Sequence, residues 1–113
     1  MKNCKTIRED LLVINQKNKK TIAINQIIML KGFVNYTRFY LQNGKEKLSA
    51  RTLKYYEGLL NNKGFIRVHR GFIVNQKCIV EHNLVTSQLI LTNGHEADIS
   101  RRIKGELLKE MVN

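Results

Sequence analysis

Short apolar runs separated by polar punctuation fill the first half of the chain, and their length and β-branched content are those of strands. Leu11 to Asn15 and Thr21 to Ile24 flank the polar NQKNKK, the pattern of strand, turn and strand. Its cluster Lys17 to Lys20 reads as a solvated turn, with non-specific phosphate contact as the alternative. Ile27 to Val34 and Thr37 to Gln42, rich in Ile, Phe, Val and Tyr, predict two further strands. Asn43-Gly44 then supplies a hairpin signal, because a type I′ turn needs positive φ at both central residues. A two-residue turn there pairs Phe39 with Leu48 and Tyr40 with Lys47, placing Phe39, Leu41 and Leu48 on one core-facing side.

The period then changes. Leu53, Tyr56 and Leu60 recur at helical spacing within Arg51 to Leu60, with Thr52 as N-cap and Gly64 beyond the end. Phe65 to Val74 returns to alternation, with Arg70 the one charged residue on the apolar register; such a side chain marks a strand end, where it escapes to solvent or a ligand. Val80 to Glu81 and Val85 to Leu91 continue the β pattern. At Asn93-Gly94 a plain two-residue turn would set Leu89 and Leu91 against Asp98 and Glu96. A bulge or longer loop, aligning Leu91 with Ala97 and Leu89 with Ile99, is therefore expected. Ser100 is placed to cap a short terminal helix with Ile103, Leu107 and Met111 on its apolar face, weakened by Gly105. The composite is mostly β with two short helices.

At 113 residues the chain is expected to form a single domain, residues 1–113. Proline is absent, so turns fall to Gly and Asn. The longest unbroken apolar runs, Leu11 to Ile14 and Ile27 to Leu30, are far shorter than the roughly 20 residues of a transmembrane helix or the roughly 7 of a signal-peptide core. Cys4 and Cys78 show no metal-ligand spacing and are expected as free thiols in a reducing cytoplasm, Cys78 as a small buried apolar residue.

Charge changes the picture more. Twenty Lys and Arg against nine Asp and Glu give a formal net charge of +11, which makes an extended polyanion the first partner to consider. Residues 1–44 and 45–77 each carry +6, whereas residues 78–113 carry −1. The adjacent Arg101 and Arg102 therefore stand out from an otherwise acidic last third.

An enzyme is not expected. No carboxylate is spaced to pair with a histidine or a second carboxylate for acid–base work, and no nucleotide-binding, zinc-protease or serine-hydrolase motif is present. Neither cofactor, metal nor small-molecule substrate is implied. Three polar clusters rise above this background: Asn35, Tyr36, Thr37 and Arg38 between two strands; Arg67, His69 and Arg70 in FIRVHRGFIVN; and Ser100, Arg101 and Arg102 at a helix start. Asn and Arg make bidentate contacts to adenine and guanine edges. Arginines in a helix's first turn oppose its dipole by roughly 0.3–1 kcal/mol, a sign that a bound phosphate reverses.

Taken in order, Asn35-Tyr36-Thr37, Thr52-Leu53-Lys54, FIRVHRGFIVN at Phe65 to Asn75 and ISRR at Ile99 to Arg102 resemble the LytTR family of bacterial DNA-binding domains, over about residues 8–108. The resemblance implies small antiparallel sheets in series with a mid-chain helix and a short C-terminal helix. It also implies inter-strand loops that enter successive major grooves of double-stranded DNA. On that basis Asn35 to Arg38, Arg70, Arg101 and Arg102 become base-reading or phosphate-clamping positions, with either Asn35 or Tyr36 as the reader in the first loop. The family commonly has serine after the arginine of its VHR motif, where this chain has Gly71, so that hydroxyl is missing.

The resemblance implies a cytoplasmic transcriptional regulator that binds paired direct repeats, two copies to an operator, as a homodimer on DNA. A receiver domain alone would need about as many residues as this chain, so none is expected within it; the chain is expected either as a stand-alone regulator, switched by its abundance or by a membrane-bound or signalling partner, which the beginning MKNCKTIRED favours, or as one domain of a longer protein. The alternative function is a β-type RNA-binding module, whose usual signature is aromatics stacked on unpaired bases.

Overall fold

The structure, a computed structural model, describes residues 10–83 and 85–112, with side chains of the last helix through residue 106. Among the described residues, ten strands and two α-helices follow one another: β1 (Leu11–Asn15), β2 (Lys20–Ala23), β3 (Ile27–Gly32), β4 (Thr37–Leu41), β5 (Glu46–Ser49), α1 (Leu53–Leu60), β6 (Phe65–His69), β7 (Phe72–Asn75), β8 (Ile79–Asn83), β9 (Gln88–Leu91), β10 (Glu96–Asp98) and α2 (Arg101–Val112). β1 and β2 form a two-stranded sheet; β5-β4-β3-β7-β6 form a central five-stranded sheet; β10-β9-β8 form a third. All pairs are antiparallel. Cys4 lies outside the described residues, as does residue 84.

Alternation in the central sheet sends apolar side chains to both faces, and each face is covered. Leu30, Phe39, Leu41 and Ile73 pack with Leu12, Ile14 and Ile22 of the first sheet and with Leu53, Tyr56 and Leu60 of α1. Ile28, Val68, Phe72 and Val74 pack with Leu89, Leu91 and Ala97 of the third sheet and with Ile103 of α2. The result is three layers with the five-stranded sheet in the middle. Cys78 is buried as a free thiol in the second cluster.

Two expected registers differ. Leu41 N–H donates to Lys45 O (3.0 Å) and Gly44 N–H to Leu41 O (3.0 Å), so the loop holds three residues, with Gly44 alone at positive φ (+86°). That slip sets Phe39 opposite Lys47 and Arg38 opposite Leu48, and Leu48 is 53% exposed rather than in the core. A glycine at the third loop position favours this bulged turn over the two-residue form.

Phe65 to Val74 alternates through a hairpin: His69 pairs with Phe72 across Arg70 and Gly71, and a bulge between Arg67 and His69 leaves Val68 fully buried. Arg70 does sit at a strand end. At the second Asn-Gly, Asn93 (φ 67°) and Gly94 (φ 80°) make the irregular turn that was expected, but the slip runs the other way. Leu91 N–H donates to His95 O (2.7 Å) and Leu89 pairs with Ala97, which still brings Leu89, Leu91, Ala97 and Ile99 inside. Val85 belongs to a turn and is 95% exposed.

Both helix caps are in place. Thr52 Oγ1 accepts from Tyr55 N–H (3.4 Å), and Ser100 Oγ accepts from Ile103 N–H (3.2 Å). Ile103 is buried, while the Leu107 and Met111 side chains fall outside the described residues.

Candidate nucleic-acid interface

One end of the three-layer stack collects the residues singled out in the sequence. Gly32 N–H donates to Gly71 O (2.9 Å), which sets the β3–β4 loop beside the β6–β7 turn. Thr37 pairs with Ser49, bringing the start of α1 with Arg51 to the same end. Ser49 Oγ donates to Ile14 O (3.3 Å), so the lysine-rich β1–β2 turn comes alongside, with Lys17 bordering the same groove as Arg51 and Tyr55. Ser100 N–H donates to Val68 O (2.7 Å) and fixes the start of α2 there too. Each layer thus contributes to one basic edge.

In the β3–β4 loop Asn35 is exposed and Tyr36 is stacked on Phe33, ring centroids 4.7 Å apart and 10° from parallel. Thr37 turns inward: its side chain is fully buried and its hydroxyl donates to Arg51 O (2.8 Å), tying the loop to the start of α1. The Arg38 guanidinium pairs with Glu46 (2.8 Å) and lies 5.6 Å from the Phe33 ring centroid. The Glu46 hydrogen bond raises its pKa above an already high ordinary value.

In the second cluster Arg67 faces the protein. One terminal nitrogen meets Glu57 of α1 (2.9 Å) and the other donates to the carbonyl of Arg70 (2.5 Å). His69 Nδ1 accepts from Gly71 N–H (3.0 Å), which places the proton of its neutral ring on Nε2. Both contacts brace the two-residue turn from which Arg70 projects, exposed and without an ion-pair partner among the described residues. Arg101 and Arg102 are likewise exposed and unpaired. An open cleft of about 510 Å³ lined by Arg67, His69, Arg70, Ser100 and Arg102 merges the second and third clusters.

The sequence model of the LytTr DNA-binding domain matches residues 17–112. This chain belongs to the LytTR family. No curated protein matches it. Among solved structures it is similar to a LytTr DNA-binding domain from Bacillus cereus, with a TM-score of 0.71 at 19% identity over 92% of this chain and 97% of that one, which shows the shared fold. The chain is therefore a LytTR-type DNA-binding domain. Among the described residues no group of three or more His, Cys, Asp or Glu could hold a metal, and no helix is long and apolar enough to cross a membrane.

Lys31, Phe33 and Arg51 also belong to the basic edge of this LytTR domain, and the sequence reading passed over all three. Lys31 and Phe33 were absorbed into a strand running to Val34, whereas β3 ends at Gly32. The signal was Gly32 itself. A Cβ there would lie 3.2 Å from Leu53 Cβ, so any larger residue would require the first turn of α1 to give by a few tenths of an ångström, and glycine lets β3 pass beneath it without that shift. Arg51 stacks its guanidinium 4.8 Å from the Tyr55 ring centroid, a contact that becomes visible only once the helix start is fixed.

Proposed function

We propose that this LytTR domain is a sequence-specific double-stranded DNA-binding transcriptional regulator that reads major grooves through its inter-strand loops. The observation that carries the reading is the convergence of three clusters, distant in sequence, on one edge where the side chains of Asn35, Arg70, Arg101 and Arg102 have no ion-pair or hydrogen-bond partner among the described residues.

Roles divide by exposure. Arg70, at the tip of a braced turn, is the base reader, with Asn35 or Tyr36 reading from the neighbouring loop. Ser100, Arg101 and Arg102 clamp a phosphate at the start of α2, where the backbone amides add to the positive charge. Thr37, Arg67 and His69 hold the loops in position, and Arg38 shares its charge between Glu46 and the duplex. Residues 1–113 act as one unit, two copies engage paired direct repeats, and a signalling or membrane-bound partner sets the activity.

Arg70→Ala tests the reading by titration against the selected operator and a scrambled duplex. The expected loss is about 1–3 kcal/mol on the operator and little on the scrambled sequence. Equal loss on both would place Arg70 on phosphate and remove the base-reading role. Single-stranded RNA that outcompeted the operator duplex would favour the RNA-binding function instead.

A further inference from the structure

Lys31 occupies a costly position for a cation that merely keeps the surface soluble. It lies directly opposite Arg38 on β4, and like charges in a cross-strand pair repel. Arg38 is compensated by Glu46 at 2.8 Å; Lys31 has no carboxylate within ion-pair distance among the described residues. Its ammonium instead lies over two rings, 5.4 Å from the Phe33 centroid and 5.7 Å from that of Phe72. Phe33 already carries the Arg38 guanidinium at 5.6 Å, so two cations share one ring.

The two rings belong to different parts of the basic edge. Phe33 opens the β3–β4 loop and stacks on Tyr36 (4.7 Å); Phe72 follows the Arg70-Gly71 turn and packs against His69 (5.8 Å). Lys31 therefore sits at the junction of a chain of ring contacts running from Tyr36 to His69. Ring faces attract a cation only weakly at a half-exposed site, so an ammonium held there remains available to an anion.

We propose that Lys31 is the shared phosphate contact of the two loops: one backbone phosphate of the duplex, drawn to its ammonium, holds the β3–β4 loop and the β6–β7 turn in register with each other. The inference rests on the DNA-binding edge described above and adds to it a residue that couples its two halves. Lys31 supplies position rather than base identity, so its removal weakens cognate and scrambled duplexes alike.

Lys31→Met keeps the apolar stem over both rings and removes the charge. Thermal unfolding should be unchanged or slightly raised, because the repulsion from Arg38 is relieved. The slope of log affinity against log salt should become shallower by about one unit on either duplex, and Lys31→Arg should restore it. In a double-mutant cycle on the operator, Tyr36→Ala and Arg70→Ala should be coupled by about threefold or more in the parent and uncoupled in the Lys31→Met background. An unchanged salt slope, or a coupling that survives Lys31→Met, overturns the proposal. So does a lower unfolding temperature with no change in slope, which would make Lys31 a folding residue. A parent that bound operator and scrambled duplex equally would defeat sequence-specific reading, yet the slope measurement on either duplex would still decide the phosphate contact.

Discussion

The two ends of the central sheet use similar polar residues in opposite ways. At the end away from the basic edge, amides close onto backbone. Asn75 Nδ2 donates to Ile27 O (3.0 Å) while its Oδ1 accepts from Lys77 N–H (3.1 Å). Gln42 donates to Asn25 O (3.2 Å), Asn93 to Gln42 O (3.1 Å) and the Thr92 hydroxyl to Cys78 O (3.2 Å). Lys63 is neutralised by Asp10 at 3.0 Å. These bonds stitch all three layers together around a cleft of about 350 Å³. At the other end, Asn35, Arg70, Arg101 and Arg102 make no such bonds among the described residues. A polar side chain that already has its partner fixes a fold; one held rigid by its neighbours yet left unpaired is ready for a ligand.

Substitutions at the two ends should therefore separate stability from binding. Asn75→Ala leaves a buried carbonyl and an amide without partners, and the expected cost is about 1–3 kcal/mol of unfolding free energy by denaturant titration. The folded fraction should bind duplex with unchanged affinity. A matching loss of affinity would mean that the two ends are not independent.

Thr37→Val crosses the divide, because Thr37 belongs to the basic edge yet is bonded inward. Loss of its bond to Arg51 O should cost about 1 kcal/mol in stability and also weaken operator binding, by releasing the loop that carries Asn35 and Tyr36. Stability loss with unaltered binding would show that the loop keeps its shape without this tether.

Alkaline unfolding supplies a smaller effect that rests chiefly on buried hydroxyls. Burial raises the pKa of Tyr56 and of Tyr40 above the ordinary tyrosine value of 10.0. A raised folded-state pKa means that the unfolded chain loses its proton first. The associated stability is complete below about pH 10 and disappears as pH climbs through the folded-state values. Tyr56, fully buried and hydrogen-bonded to Ser49, should account for part of this loss. Tyr56→Phe should flatten the pH dependence of the unfolding midpoint above pH 10, and an unchanged profile would assign the loss elsewhere.

The smallest change is expected from Glu46→Gln. The Arg38–Glu46 pair is partly exposed and screened by solvent, so its removal should change stability little. It should also release Arg38 and raise affinity for any duplex at low salt, as a filter-binding titration would show.

Local chemistry made much of this legible in the sequence. Thr52 and Ser100 were recognisable as caps because an oxygen side chain ahead of an apolar helical period has few other uses. Arg70 was recognisable as a strand-end residue because a charge cannot remain on a core register. What escaped depends on partners distant in the chain or on backbone conformation. Leu48 went to solvent because one extra loop residue at Gly44 changes every later pairing. The hairpin within Phe65 to Val74 was hidden because alternation persists through its turn, where a bulge between Arg67 and His69 restores the parity. Lys31 acquires its surroundings only through Phe72, brought to it by the β3–β7 ladder.

That ladder also ties recognition to the order of folding. β3, β4 and β5 are joined by short loops, as are β6 and β7, so each group can form from contacts near in sequence. The β3–β7 pairing, Met29 to Val74 and Lys31 to Phe72, must close a loop that contains β4, β5, α1 and β6. Closing a long loop carries an entropic cost before its contacts are made, which favours a late step. Only this step brings the β3–β4 loop against the β6–β7 turn. An incompletely folded chain would therefore still offer lysines to any polyanion but would lack the juxtaposed loops, so discrimination between sequences should emerge in refolding only with the last kinetic phase.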